Sequence, residues 1–194
     1  MSRNCVHYES AFEDYLRVRS VPFVSVDETR RAVFAGTKIK SFDYVVYPPA
    51  GRAWLVDVKG RHFPYVDEQG GGKRYWESWI TREDLAGLAD WESAFGEEYE
   101  ARLVFAYLLQ GPPDRWPAVT PHPFDGESYV FYTAGLADYR EVCRERSDRW
   151  QTVSVPNSAF RRIVRPLDGL LPGSPPLCPS GPGTVQTALS EPQA

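Results

Sequence analysis

The feature that most constrains the fold is the stretch 40–61, in which two apolar runs are separated by a turn. Residues 42–47 are mostly aromatic or β-branched, the types that strands favour, and the prolines and glycine of 48–51 then interrupt the run. A second apolar run covers 54–58. Because both runs are largely apolar on both faces, they predict two central strands of a buried sheet rather than edge strands.

Three charged residues interrupt these apolar runs, namely Asp43, Asp57 and Lys59. Alternate residues of a strand share a face, so Asp57 and Lys59 point the same way, and a hairpin would place Asp43 beside Asp57. A buried charge is costly unless it is paired or binds a metal. Two carboxylates offer the oxygen ligands that Mg²⁺ or Mn²⁺ prefers, and a neighbouring lysine can hold or activate a water. The same residues also fit a structural ion pair, and the hairpin alone does not decide between the two interpretations.

The spacing of Asp43 and the triplet Asp57-Val58-Lys59 resembles the signature of the PD-(D/E)XK nuclease superfamily. Phe42 stands where the name of the superfamily has proline, a departure that many members share. The resemblance implies an α/β, restriction-endonuclease-like fold with a central mixed sheet and helices on both faces. It also implies that Asp43, Asp57 and the Val58 carbonyl bind Mg²⁺ or Mn²⁺, and that Lys59 positions or activates the water that attacks a phosphodiester.

The segment from His7 to Val18 predicts an amphipathic helix, because its apolar residues recur at intervals of three and four. Successive residues of a helix are about 100° apart, so Glu9 lies at the edge of the apolar stripe whereas Glu13 leans towards water. Superfamily members usually carry an acidic residue on the first helix beside the metal. Similarity to the Holliday-junction resolvases of the superfamily favours Glu9 for that role; a solvated helix charge is the alternative for either residue.

The first seven residues of this helix, His-Tyr-Glu-Ser-Ala-Phe-Glu, are also similar to the motif of a small group in the same superfamily that is named after HYExAFE. This similarity extends over about residues 7–167. It labels a family without implying a particular substrate.

The charge distribution is more informative than the net charge of −4. Residues 1–75 hold 12 Lys/Arg and 9 Asp/Glu (+3), whereas 76–165 hold 10 and 15 (−5). The half with the motif is therefore the basic half, which permits a phosphate-facing surface, although a solvated face is the commoner cause of such an excess. The candidate nucleic-acid contacts are Lys40, Arg61, Lys73 and Arg74.

A chain of 194 residues can form one domain with a real core. Helices are predicted at about 81–95 and 136–146, the first with a capping box of Thr81 and Asp84, and strong strands at 102–109 and 129–133. From residue 166 onward proline, glycine and serine dominate, which predicts a domain at 1–167 and a disordered tail at 168–194. Three scattered cysteines and no apolar run of membrane-span length favour a cytoplasmic location without membrane contact.

The leading hypothesis is a metal-dependent nuclease that hydrolyses nucleic acid, with DNA the first expectation and DNA processing or repair the expected setting. The alternative is a catalytically inactive module of the same fold that binds nucleic acid or protein, and a structural domain with an Asp57–Lys59 ion pair is the third. Many superfamily members dimerise to cut two strands, so the resemblance admits a homodimer and leaves the oligomeric state open.

Overall fold

The computed structural model of the chain describes residues 3–27, 32–34, 37–66, 72–73 and 76–171. The helices are α1 (Arg3–Val18), α2 (Arg82–Phe95), α3 (Leu136–Val142) and α4 (Asn157–Ile163), with 3₁₀ turns at Pro113–Arg115 and Leu167–Gly169. The strands are β1 (Phe23–Ser25), β2 (Ala32–Phe34), β3 (Thr37–Ile39), β4 (Tyr44–Val46), β5 (Ala53–Phe63), β6 (Tyr65–Val66), β7 (Gly72–Lys73), β8 (Ile80–Thr81), β9 (Tyr99–Leu109), β10 (His122–Phe124), β11 (Glu127–Gly135), β12 (Arg144–Ser147), β13 (Thr152–Ser154) and β14 (Arg165–Pro166).

The main sheet has the strand order β1-β4-β5-β9-β11-β10, with β14 added beside β11. β4 and β5 form the predicted antiparallel hairpin, with Tyr44 opposite Val56. β5 and β9 then pair in parallel along their whole length, from Ala53 beside Tyr99 to Phe63 beside Leu109. A parallel pair needs a crossover connection, and α2 supplies it. The sheet is therefore mixed, as predicted.

Period-two alternation along β5 divides the interior into two cores. Leu55 and Phe63 face one core, together with Leu88 of α2 and residues of α3 and α4. Val56 and Val58 face the other, where Phe12 and its neighbours on the apolar stripe of α1 pack. Full burial of one such side chain contributes about 1.5–3 kcal/mol, so both faces of the sheet are held by helices. The predicted α/β class, with a central mixed sheet between helices, is confirmed.

Helix α2 begins and ends where the sequence predicts. The hydroxyl of Thr81 accepts a hydrogen bond from the Asp84 N–H, and the Asp84 carboxylate accepts one from the Thr81 N–H, which completes the capping box. Gly96 follows the last turn with φ +82°, a conformation that glycine adopts without strain, and its N–H donates to the Glu92 carbonyl.

Two predicted boundaries are wrong. The helix predicted at 136–146 ends at Val142, because Cys143 is extended and Arg144–Ser147 pairs with β13 as a strand. The domain extends past residue 167: Leu171 is fully buried, and the Asp168 carboxylate accepts a hydrogen bond of 2.8 Å from the Tyr15 hydroxyl. The remainder of the predicted disordered tail, residues 172–194, lies outside the described residues. Within the described part of the chain, no helix has the length and apolar composition of a membrane span.

Candidate active site

The β4–β5 hairpin brings Asp43 and Asp57 together, as its predicted register requires. The Asp43 N–H donates a 2.9 Å hydrogen bond to the Val56 carbonyl, and the Asp43 carboxylate accepts a hydrogen bond from the Val58 N–H. Asp43 is 6% exposed and Asp57 is 5% exposed. Two buried carboxylates therefore lie on adjacent strands in the interior, where each needs a cation or hydrogen-bond donors.

Lys59 supplies a cation to this pair. It lies two residues beyond Asp57 on the same face of β5, and its Nζ is 2.6 Å from Asp57 Oδ2. The same Nζ is 3.2 Å from Asp84 Oδ1 at the start of α2. The Lys59 side chain is 14% exposed, so it bridges two carboxylates in a largely dry environment.

Asp84 is a residue of the site that sequence reasoning assigned only to the helix cap. Its carboxylate contacts Lys59, pairs with Lys40 and accepts the 2.9 Å hydrogen bond from the Thr81 N–H. The capping box could be read from local spacing. The contact with Lys59 could not, because it depends on how α2 packs against β5.

The electrostatics of the three groups follow from burial and from each other. Burial is the largest effect on Asp57 and raises its pKa to about 6; Lys59 opposes this rise and Asp84 adds to it. Burial disfavours the charged Lys59, but the attraction of Asp57 and Asp84 outweighs it and the pKa of Lys59 is raised. Burial also disfavours the Asp84 carboxylate, yet Lys59, Lys40 and Thr81 together lower the pKa of Asp84 to about 2. Lys59 is therefore a cation at neutral pH.

The donor set suits a hard divalent cation. Asp57 Oδ2 is buried and, despite the nearby ammonium, makes no hydrogen bond of acceptable geometry. The carbonyl of Val58 lies on the same edge of β5 as its N–H, which faces Asp43 where β4 ends. No cluster of three His, Cys, Asp or Glu side chains that could hold a metal occurs among the described residues. Two carboxylates and a carbonyl, completed by water, still fit Mg²⁺, which usually keeps several waters.

Glu9 lies on α1, which packs on the opposite face of the sheet from Asp57 and Lys59. Its backbone carbonyl accepts a 3.1 Å hydrogen bond from the hydroxyl of Tyr44, the residue after Asp43. Glu13 is partly buried like Glu9 and pairs with Arg17. Both glutamates contribute to the raised pKa of Tyr44, after its burial. The assignment of Glu9 to the metal shell stays a prediction.

The second turn of the first helix is held against β5 by a close contact. The Tyr8 ring lies directly over Gly60, so that a Cβ at this glycine would fall well inside the van der Waals radius of the ring. Gly60 is the residue after Lys59, and Tyr8 is the residue before Glu9. The HYE part of the helix is thus held next to the strand that carries the candidate site.

The four residues that were predicted to contact nucleic acid differ in their burial and in whether the structure describes their side chains. Arg61 was predicted to contact phosphate, but it is buried, donates to the carbonyls of Gly60 and Trp79, and stacks on the Trp79 ring at 4.0 Å. This prediction is corrected: Arg61 faces inward and anchors Trp79. Lys40 is 38% exposed beside Asp84, at the rim of the site. The Lys73 side chain and Arg74 lie outside the residues that can be described.

Fold and site together define an α/β domain with a central mixed sheet that carries two aspartates and a lysine on adjacent central strands. No protein-family model matches the sequence, and no curated protein is significantly similar to it. Among solved structures, the chain is similar to Hjc of Archaeoglobus fulgidus, a Holliday junction resolvase from an archaeal hyperthermophile. The TM-score is 0.45 and the sequence identity 11%, over 81% of this chain and 93% of that chain.

Proposed function

We propose that this protein is a metal-dependent nuclease of the PD-(D/E)XK superfamily that hydrolyses phosphodiester bonds of nucleic acid. The observation that carries the proposal is the convergence of Asp43, Asp57 and Lys59 in one buried cluster on adjacent strands. A cluster with two buried carboxylates is costly to maintain, and a cation-dependent reaction explains its presence. The segment His7–Glu13 supports a place in the HYExAFE group of this superfamily.

Each residue of the cluster has a role that its geometry supports. Asp43, Asp57 and the Val58 carbonyl would hold Mg²⁺ or Mn²⁺. Glu9 is proposed as the further carboxylate on the resemblance alone, since α1 packs on the opposite face of the sheet. When bound, the ion supplies Lewis-acid activation of the phosphate and lowers the pKa of a bound water. Because neighbouring carboxylates raise the pKa of Lys59, its ammonium orients the attacking water and counters charge on the phosphate rather than removing a proton.

The substrate class that we propose is DNA, cut at a phosphodiester by in-line attack of water, with a homodimer as the form that cuts two strands. Lys40 is placed to contact a phosphate because it is partly exposed beside Asp84. The ion pair with Asp84 holds the Lys40 side chain near the position proposed for the cleaved phosphate, so that less side-chain entropy is lost when DNA binds.

The test is a cleavage screen over duplex, single-stranded, flap and four-way junction DNA, and the matching RNAs, with Mg²⁺ or Mn²⁺ and with EDTA. We expect cleavage of at least one substrate with metal and none with EDTA. Asp57→Asn should abolish both metal binding and cleavage, whereas Lys59→Ala should retain metal binding and lose about 10²–10³-fold in rate, as for other lost electrostatic contacts to the transition state. Asp90→Asn removes an exposed carboxylate of α2 and serves as the control. A parent protein that binds no divalent ion and cuts none of these substrates would refute the proposal.

A further inference from the structure

A groove lies beside the candidate active site. One of its walls is the segment 76–79, which Arg61 contacts through Trp79. Arg61 follows Lys59 by two residues on the same face of β5, which is about 6.6 Å along the strand. Its guanidinium donates to the Trp79 carbonyl and stacks on the Trp79 ring at 4.0 Å. Trp79 also lines the groove, so it connects the groove to β5 two residues beyond Lys59.

The groove is a cavity of about 170 Å³ between the segment 76–79 and residues 154–157 at the end of β13. The residues that line it include Trp76, Trp79, Arg146, Ser154 and Asn157. The Trp76 ring stacks on Phe63 with 4.0 Å between ring centres, so Trp79 is the indole on which the inference rests. Indole faces beside hydroxyl, amide and guanidinium groups are the combination that binds unstacked bases, because every base has an apolar face and a polar edge. This composition distinguishes the groove from an ordinary hydrophobic cleft.

Arg146 provides the charge at the mouth of the groove. It is exposed on β12, and its guanidinium carbon lies 5.3 Å from the centre of the Trp79 ring. Among the described residues, Arg146 forms no ion pair with a carboxylate. Glu77 also lines the groove and balances the charge of Arg146, so Arg146 is the one cationic residue among those that line the cavity.

We propose that this groove binds one unpaired nucleotide of the substrate, with its base against the indole of Trp79 and its phosphate on Arg146. The inference rests on the proposed nuclease function and narrows it to substrates with unpaired nucleotides near the cleaved bond, such as flaps. A continuous duplex keeps its bases stacked and cannot place one in the groove without the cost of unstacking.

The test compares two fluorescent DNA probes by anisotropy in EDTA, a plain duplex and the same duplex with a short single-stranded flap. The variants are Arg146→Gln and Trp79→Leu. The matched controls are Arg149→Gln and Trp150→Leu, a second arginine–tryptophan pair with 5.2 Å between the guanidinium carbon and the ring centre. Trp150 is 68% exposed and lies outside the groove.

We expect each groove variant to weaken binding of the flap probe about tenfold or more and binding of the duplex less than threefold, with both controls unchanged. Arg146→Gln alters an exposed side chain, so it tests the inference even if Trp79→Leu fails to fold. Equal losses for the two probes, or losses no larger than those of the controls, would overturn the groove assignment while cleavage by the parent still supports the nuclease. A parent that binds neither probe and cuts nothing would overturn both.

Discussion

Asp57 carries a carboxylate into the interior of the sheet, where it is 5% exposed and burial raises its pKa to about 6 from 3.8. Between about pH 4 and 6, the folded protein holds a proton that the unfolded chain has lost, so stability falls as the pH rises through this window. Above pH 6 the whole cost is present, of the order of 2–3 kcal/mol. A functional carboxylate is thus maintained at the expense of stability.

At the residue scale, we therefore expect Asp57→Asn to be more stable than the parent at pH 7.5 in EDTA. The gain should be several degrees in melting temperature, because the amide carries no charge and Lys59 keeps Asp84 as its partner. The difference should vanish at about pH 3, where the parent carboxyl is largely protonated in both states. Thermal denaturation at the two pH values measures both effects. Destabilisation at pH 7.5 would instead show that Asp57 is a structural partner of Lys59.

A second prediction at this scale concerns Asp84, whose pKa is lowered to about 2 by Lys59, Lys40 and Thr81 against the effect of burial. The ionised Asp84 therefore contributes about 2 kcal/mol to the free energy of unfolding. This contribution is present above pH 4 and is lost as the pH falls from 4 towards 2. Asp84→Asn keeps an oxygen that can accept the hydrogen bond from the Thr81 N–H, but it removes the negative charge that lies next to the Lys59 ammonium. We expect it to reduce cleavage by about 10–100-fold while metal affinity, measured by calorimetry, changes little.

Thr81→Ala separates the two functions of this carboxylate. It removes the hydroxyl half of the capping box, which costs about 0.5–2 kcal/mol, and leaves Asp84 beside Lys59. Cleavage by Thr81→Ala should match the parent at temperatures where both are folded. If Thr81→Ala and Asp84→Asn lose cleavage equally, Asp84 acts through the helix and not through Lys59.

At the scale of elements, the packing of α1 on β5 depends on the contact between Tyr8 and Gly60. Because a Cβ at residue 60 would collide with the Tyr8 ring, Gly60→Ala must displace the ring or the helix end. We expect a loss of about 1–3 kcal/mol, as for other overpacked contacts. Tyr8→Ala also loses stability, but in the double variant the added methyl no longer meets a ring. Denaturant unfolding of the parent, the two single variants and the double variant measures this coupling. The double variant should lose less free energy of unfolding than the two single variants together, whereas additive losses would mean that the two residues are not coupled.

At the scale of the whole molecule, the C-terminal end of the domain closes the core on the α1 face. Leu167 and Leu171 are fully buried, and Asp168 pairs with Arg19 at 2.5 Å in addition to its bond with Tyr15. A chain that ends after Leu171 should keep the melting temperature of the parent within about two degrees, since no periodic apolar face follows. A chain that ends after Pro166 should lose at least 3 kcal/mol, because burial of each leucine contributes about 1.5–3 kcal/mol. Differential scanning calorimetry of both truncated chains tests these expectations. A large loss of stability in the chain that ends after Leu171 would mean that residues 172–194 contribute to folding.

Features that depend on near neighbours along the chain could be predicted from the sequence alone. The apolar runs at 42–47 and 54–58 specified a buried hairpin, and the two-residue period of a strand placed Asp57 and Lys59 on one face beside Asp43. The capping box and Gly96 specified the bounds of α2 from spacing and backbone conformation alone. Tertiary structure decided whatever depends on how distant elements pack. It turned Arg61 inward onto Trp79, brought Asp84 to Lys59, and extended the domain to Leu171. These contacts join residues whose separation along the chain carries no periodic signal, so they arise only when the helices and strands enclose a common core.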